Sequence, residues 1–315
     1  MKKLLKKCFP TLMHILHGYR EKYYVRLCKS NPEYFVRIWY KKIYGKSINL
    51  ESPQDIDEKV NWMKLHADMS LWSRCADKFE VRSFVAEKGL AHTLNEIYGV
   101  FDTPEDIDFD VLPKRFVIKT TNGGGGKSVL IVKDKDELDI NETRNKLRKW
   151  QQEEMGWRYY EPHYFPIRSR LLIEKYLEPN AGEESLVDIK LNCFDGNAYS
   201  VFLCSDRSGQ SVHYSVYDMD WRLCPEKVLP AYSTIKKFPR PKSFNKMVAY
   251  SQILSKGIPY VRVDWYEING EPIFSEMTFT PGGGFQHFYS QAYLSELGRQ
   301  MNISQLINEK NQANV

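Results

Sequence analysis

No apolar run in the 315-residue chain approaches the roughly 20 residues that a membrane-spanning helix needs. Its six cysteines, Cys8, Cys28, Cys75, Cys193, Cys204 and Cys224, contain no CxxC pair and no Cys/His grouping with zinc spacing. A reducing, cytoplasmic setting with structural thiols is therefore expected. The seven histidines are scattered and form no readable triad with a serine or cysteine nucleophile. No internal repeat is visible. Charge of one sign is in small excess, net +5, which suits an anionic substrate such as a nucleotide but is too weak to indicate nucleic acid. The basic start has its apolar stretch broken by Lys6, Lys7 and Pro10 and shows no small-residue cleavage site, so no signal peptide is read. Residues 1–20 would either rest as a basic amphipathic helix on anionic membrane or pack on their own domain.

What is present is an ordinary globular composition, 42% hydrophobic and 27% charged, with 14% aromatics that predict an aromatic-rich core. Residues 1–90 read as mostly helical. Asn31-Pro32 and Ser52-Pro53-Gln54-Asp55 look like helix starts, and a further amphipathic stretch opens at Ala76-Asp77-Lys78-Phe79 and stops at Gly89. After Pro113 the texture changes to strands near 116–118, 129–132, 171–177, 186–194, 198–204, 212–218, 260–268 and 272–278, with helices near 141–154, 243–256 and after Ser290. Asp195-Gly196 and Asn269-Gly270 sit where hairpin turns are expected. The pattern predicts an α+β fold with a mainly antiparallel sheet.

Four consecutive glycines, Gly123, Gly124, Gly125 and Gly126, follow Lys119 and Asn122 and precede Lys127 and Ser128. Without Cβ atoms, backbone N–H groups can approach a phosphate closely. The P-loop pattern fails, because its first glycine would fall at Thr121 and a strand-like run follows. A glycine hairpin over a nucleotide or a plain surface turn remains. Glu174-Lys175-Tyr176-Leu177 ends an apolar strand with groups suited to an adenine edge, or with a surface ion pair. Asp188 and Lys190 share a strand face and suit ribose and phosphate, or an exposed polar face. Alternation puts Arg262, Asp264 and Tyr266 on one face of a strand, and Phe274, Glu276 and Thr278 on one face of the next. A three-residue loop centred on Gly270 would set Asp264 opposite Glu276. Opposed carboxylates repel unless a cation lies between them, and hard oxygens suit Mg²⁺. Arg262 would stand beside them, with Lys119 across a cleft. The alternative is a solvated hairpin face. Asp218-Met219-Asp220 resembles the D-x-D of sugar-nucleotide glycosyltransferases, or is a polar turn.

The order of these pieces, together with Ala76 to Arg82, Tyr217 to Trp221 and Val261 to Pro281, resembles the TupA-like ATP-grasp family of bacterial polysaccharide and teichuronopeptide gene clusters, over roughly residues 50–300. The resemblance implies an ATP-grasp fold: a helical extension over 1–50, a helical and αβ region over 51–112, a small lid subdomain over 113–178 and a C-terminal subdomain with the metal site over 179–315. It implies ATP and Mg²⁺. Lys119 and Lys175 would contact the nucleotide, the loop from Asn122 to Ser128 would close on the phosphates, and Glu174 with the Leu177 backbone would read adenine. Asp188 would hold ribose, with Glu184 as a rival. Asp264, Glu276 and Thr278 would carry Mg²⁺, Thr278 standing where the wider superfamily has a second-metal Asn. Arg262 and Lys190 would act on the transferring phosphate. The implied reaction is ATP-dependent joining of a carboxylate, on a sugar or polysaccharide precursor, to an amine of an amino acid or amino sugar. A glycosyltransferase using Asp218 and Asp220, or a non-catalytic ATP- or glycan-binding module, are the alternatives.

Overall fold

The computed structural model describes residues 22–125, 128–180, 185–205, 213–234 and 236–313. Among them no helix is long and apolar enough to cross a membrane. The expectations for residues 1–20, Gly126, Lys127 and Glu184 lie outside the described residues.

Side-chain caps set the helix starts where the sequence places them. Asn31 accepts from the Tyr34 N–H ahead of α1 (Pro32–Tyr44), which closes on the left-handed Gly45. Asp55 and Glu58 form a capping box at α2 (Ile56–His66). The stretch expected from Ala76 to Gly89 is broken at its start. A separate helix α3 (Ser70–Ala76) ends there, and Asp77 Oδ1 accepts from the Phe79 and Glu80 N–H groups at 2.7 and 3.1 Å to start α4 (Glu80–Glu87). A carboxylate that collects free N–H groups opens a new helix rather than continuing an old one.

Two antiparallel sheets follow. The smaller holds β1 (Ile97–Phe101), β2 (Phe116–Thr120), β3 (Val129–Val132) and β4 (Leu171–Lys175) in the order β1-β4-β2-β3. It thus recruits a strand from ahead of residue 113. Phe116, Ile118, Leu171 and Ile173 pack from one face into a core with Leu147 of α5 (Ile140–Gln151). The larger sheet holds β5 (Ile189–Phe194), β6 (Asn197–Ser205), β7 (His213–Tyr217), β8 (Val261–Ile268) and β9 (Glu271–Thr278), in the order β7-β6-β5-β8-β9. Its core is continuous with that of α1 and α2, so the N-terminal helices and the C-terminal sheet share one interior. Trp265 sits in it fully buried, and its indole N–H donates to Ser251 Oγ of α6 (Phe244–Ser255) at 2.8 Å.

The β8–β9 hairpin corrects the expected loop. Ile268 pairs with Glu271, so the turn has two residues, Asn269 and Gly270, both with positive φ (53° and 79°). That is the left-handed turn whose twist matches the strands. Continued regularly, this register would place Glu276 opposite Val263 and on the wrong face. A β-bulge intervenes instead: Trp265 pairs with Phe274 but Asp264 with Glu276, leaving Ser275 as the extra residue. The odd residue needed for the carboxylate pairing lies in the strand, not in the loop. Phe274 accordingly does not share a face with Glu276; it packs on Trp265 in the core, ring centroids 5.7 Å apart.

The cap segment of α2, Gln54 and Asp55, runs so close to α7 (Gln291–Gln300) that a Cβ on Gly298 would lie 2.1 Å from the Gln54 carbonyl oxygen. Lys59 Nζ locks the contact, donating to the Gly298 and Met301 carbonyls at 2.7 and 2.6 Å, and α8 (Ser304–Ala313) follows. Alanine normally favours a helix over glycine by about 1 kcal/mol. Here Gly298→Ala is expected to destabilise the protein instead, by about 1–3 kcal/mol from overpacking. Urea denaturation checks the sign.

Candidate active site

Three strands of the larger sheet bring the carboxylates and cations together. Lys190 of β5 stands directly across from Asp264 of β8, and Glu276 of β9 stands across from Asp264 on the other side. Asp264 is fully buried. An ionised group out of water requires paired charge and hydrogen bonds. Arg262 supplies a two-pronged contact, Nε to Oδ1 and Nη2 to Oδ2, both at 2.7 Å. Lys190 Nζ reaches Oδ2 at 2.5 Å and Asp188, also buried, at 3.3 Å. The Arg262 guanidinium also donates to Thr278 Oγ1 at 3.1 Å and lies 3.6 Å from Glu276 Oε1.

Glu276 differs from Asp264 in reaching solvent, its side chain being 37% exposed. Its nearest cation among the described residues is Lys78, from the link between α3 and α4, at 3.4 Å. Lys78 Nζ also donates to the Gly123 carbonyl at 2.7 Å, and its backbone N–H to the Thr121 carbonyl at 2.9 Å. One lysine therefore ties the glycine loop to the carboxylate pair. The sequence offered Lys78 within the Ala76 to Arg82 segment, but a short inter-helix link has no periodicity to show which way a side chain faces. Burial pushes the Asp264 carboxyl up from its ordinary value, against Arg262 and Lys190. Burial works on Glu276 too, but Lys78, Lys190 and Arg262 outweigh it and hold that carboxyl below the usual range.

The second group of site residues lies on the small sheet. Lys119 and Glu174 leave the face opposite α5 and pair at 2.5 Å, both mostly buried. Lys175, one residue on, leaves the other face, is exposed and meets Glu96 at 3.2 Å, so it is not brought to Glu174 and Lys119. Leu177 lies half-buried beyond the end of β4. In the loop, Asn122, Gly123 and Ser128 are buried, Gly124 is half-buried, and Gly125 is exposed with φ 64°. Asn122 Oδ1 is buried with no hydrogen-bond partner among the described residues, an acceptor that a ligand donor would satisfy.

The D-x-D tripeptide closes on itself. Asp218 Oδ1 accepts from the Asp220 and Arg222 N–H groups at 3.0 and 2.8 Å, and Arg222 pairs with Asp220 at 3.2 Å. It is a turn with its oxygens engaged, and no group of three or more metal-ligating side chains occurs among the described residues.

Glu276 gives a pH test. Its lowered folded value means the unfolded chain takes up the proton first. Its stabilisation is in full force above the ordinary value of 4.5 and is lost as pH falls through the lower folded value. Unfolding free energy should therefore fall on acidification below about 4.5, and less steeply in Glu276→Gln. Urea titrations at stepped pH measure both slopes.

A family model described as TupA-like ATPgrasp matches residues 58–302. No curated protein matches the chain. Among solved structures, the D-alanine–D-alanine ligase from Bacillus anthracis complexed with ATP is 19% identical with TM-score 0.46, covering 76% of this chain and 68% of that one. The L-amino acid ligase from Bacillus licheniformis is 13% identical with TM-score 0.47, covering 88% and 63%. The N5-carboxyaminoimidazole synthetase from Staphylococcus aureus complexed with ADP is 16% identical with TM-score 0.42, covering 66% and 46%. The family match spans the link that carries Lys78, the glycine loop and both strands of the carboxylate pair, and by it the chain belongs to the TupA-like ATP-grasp family.

Proposed function

We propose that the chain uses ATP to activate a carboxylate on a bacterial surface polysaccharide or its precursor, such as a uronic acid, and passes the acyl group to the amine of an amino acid or amino sugar. Oxygen of the carboxylate attacks the γ-phosphorus, ADP leaves, and the amine then displaces phosphate from the acyl phosphate to give an amide. The observation that carries the reading is the convergence of Lys78, Lys190 and Arg262 on Asp264 and Glu276, beside the glycine loop. Phosphoryl transfer asks the protein mainly to position groups and neutralise charge, which is what cations and loop N–H groups do.

Lys119 and the loop from Asn122 to Ser128 would hold phosphates, with Lys78 joining them at Gly123. Glu174 and the Leu177 backbone would meet adenine, Lys175 would contact the nucleotide, and Asp188 would hold ribose. For the last two assignments, Lys175 must turn in from its exposed face and Asp188 must share its carboxylate with Lys190. Mg²⁺, when bound, would neutralise the phosphate oxygens. Glu276 and Thr278 suit its ligation, being hard oxygens near the surface. Asp264 would join them once Arg262 or Lys190 turns toward phosphate. The basic residues 1–20 would add a peripheral contact with anionic membrane.

Asp264→Asn is expected to lower carboxylate-dependent ADP formation by at least about 10²-fold, with the circular dichroism spectrum and solubility retained. A coupled ADP assay across a panel of uronic acids measures it. Mg²⁺-dependent turnover at the wild-type rate in a folded variant would sink the assignment.

A further inference from the structure

Glu161 lies in the connection from α5 to β4 and takes part in none of the contacts described so far. Thr280 Oγ1 donates to its Oε1 at 2.6 Å. Thr280 continues the alternation of Glu276 and Thr278 just past β9, so the bond points from the same side of the hairpin. It is the one hydrogen bond to the Glu161 side chain among the described residues. The side chain is half-buried, so its remaining acceptor positions are open to solvent or a ligand donor.

The neighbouring cation is engaged elsewhere. Lys64 of α2 gives its three N–H donors to Asn61 Oδ1, the Tyr159 carbonyl and the Gly283 carbonyl, at 2.7, 2.8 and 2.8 Å. It acts on Glu161 through space without bonding to it. Burial leaves the Glu161 carboxyl above its ordinary range, against the pull of Thr280 and Lys64. The other titratable groups that act on or feel Glu161 are Cys28, from the helical segment before α1, and Tyr164 of its own segment.

Tyr164 locates the carboxylate relative to the chemistry. It lies within electrostatic reach of Glu161, Glu276 and Arg262. A Cβ on Gly124 would stand 3.8 Å from its hydroxyl oxygen, so it also borders the glycine loop. The Glu161 segment therefore borders the glycine loop through Tyr164 and the end of the Glu276 strand through Thr280. On that side Glu161 presents a carboxylate, with the Lys64 ammonium nearby already committed to three other acceptors.

We propose that Glu161 receives the amine co-substrate, pairing with its ammonium on arrival and taking the proton that frees the nitrogen for attack. The inference rests on the ligase reading. One proton passes from the ammonium to Glu161, exposing the nitrogen lone pair. That pair forms the C–N bond as the C–O bond to phosphate breaks with its electrons on phosphate, and the second nitrogen proton leaves with the phosphate. A carboxylate whose basicity is raised by burial is suited to this proton at neutral pH.

The test uses the full chain with Mg·ATP, a panel of uronic acids, and L-glutamate or glucosamine as the amine. Glu161→Gln is expected to lose about 10²-fold of amine-dependent turnover at pH 7 and to recover as pH rises and free amine accumulates. Hydroxylamine, unprotonated at neutral pH, should rescue the variant, trapping the acyl phosphate as hydroxamate. A variant that uses glutamate or glucosamine as well as wild type overturns the assignment. So does one that hydroxylamine fails to rescue, which would make Glu161 a structural residue. Wild type that yields no hydroxamate from any uronic acid overturns the ligase reading itself, and this assignment with it.

Discussion

The burial of Asp264 is the constraint around which the larger sheet is organised. A carboxylate without access to water is tolerated only when cations and donors surround it, and removing one partner from such a group typically costs about 3–5 kcal/mol. The partners come from its own strand and from the neighbour: Arg262 two residues away on β8, and Lys190 directly opposite on β5. Because the guanidinium also lies near Glu276, a second carboxylate can stand across from the first without net repulsion. The same cations that stabilise the apposed acids are then in place for phosphate oxygens. Packing and chemistry thus draw on one set of side chains.

That arrangement depends on parity along a hairpin. The Asn269-Gly270 turn leads Trp265 and Phe274 into the core as partners. A strand paired regularly from there would bury Glu276 on the apolar side. Ser275 absorbs the extra position, so that one hairpin places an aromatic pair in the core and a carboxylate pair in the cleft. A bulge also sharpens the local twist, at the end of the hairpin that leads to the turn at Pro281.

That turn, and the loop across from it, are held by the N-terminal helices rather than by the sheets. Lys64 and Asn61 of α2 grip the Gly283 and Gly284 carbonyls, at 2.8 and 2.7 Å. Lys78, between α3 and α4, grips Gly123 on the small sheet's loop and Glu276 on the large sheet. The helical layer therefore shares its core with one sheet while its lysines set the backbone of both glycine-rich segments that border the cleft. A ligand that draws Lys78 toward phosphate would alter loop and carboxylate together.

Much of this was open to inspection in the chain alone. The caps at Asn31 and Asp55, the places of the hairpin turns, the strand alternation and the antiparallel character follow from local sterics and hydrogen bonding, which act over a few residues and leave signatures at fixed spacing. The order of the motifs carried the family. The apposition of Asp264 and Glu276 was also legible, although by a loop that does not exist, because periodicity cannot say whether an odd residue sits in a turn or in a bulge; that depends on which side chains the core accepts. The pairings of Lys119 with Glu174 and of Lys78 with Glu276 were not readable, since their partners lie 55 and 198 positions apart. Nor was the burial of Asp264, because a polar residue on an alternating strand looks solvated until another strand and an arginine close over it. Sequence determines which groups each element can present; only the packing of those elements decides which charges meet out of water.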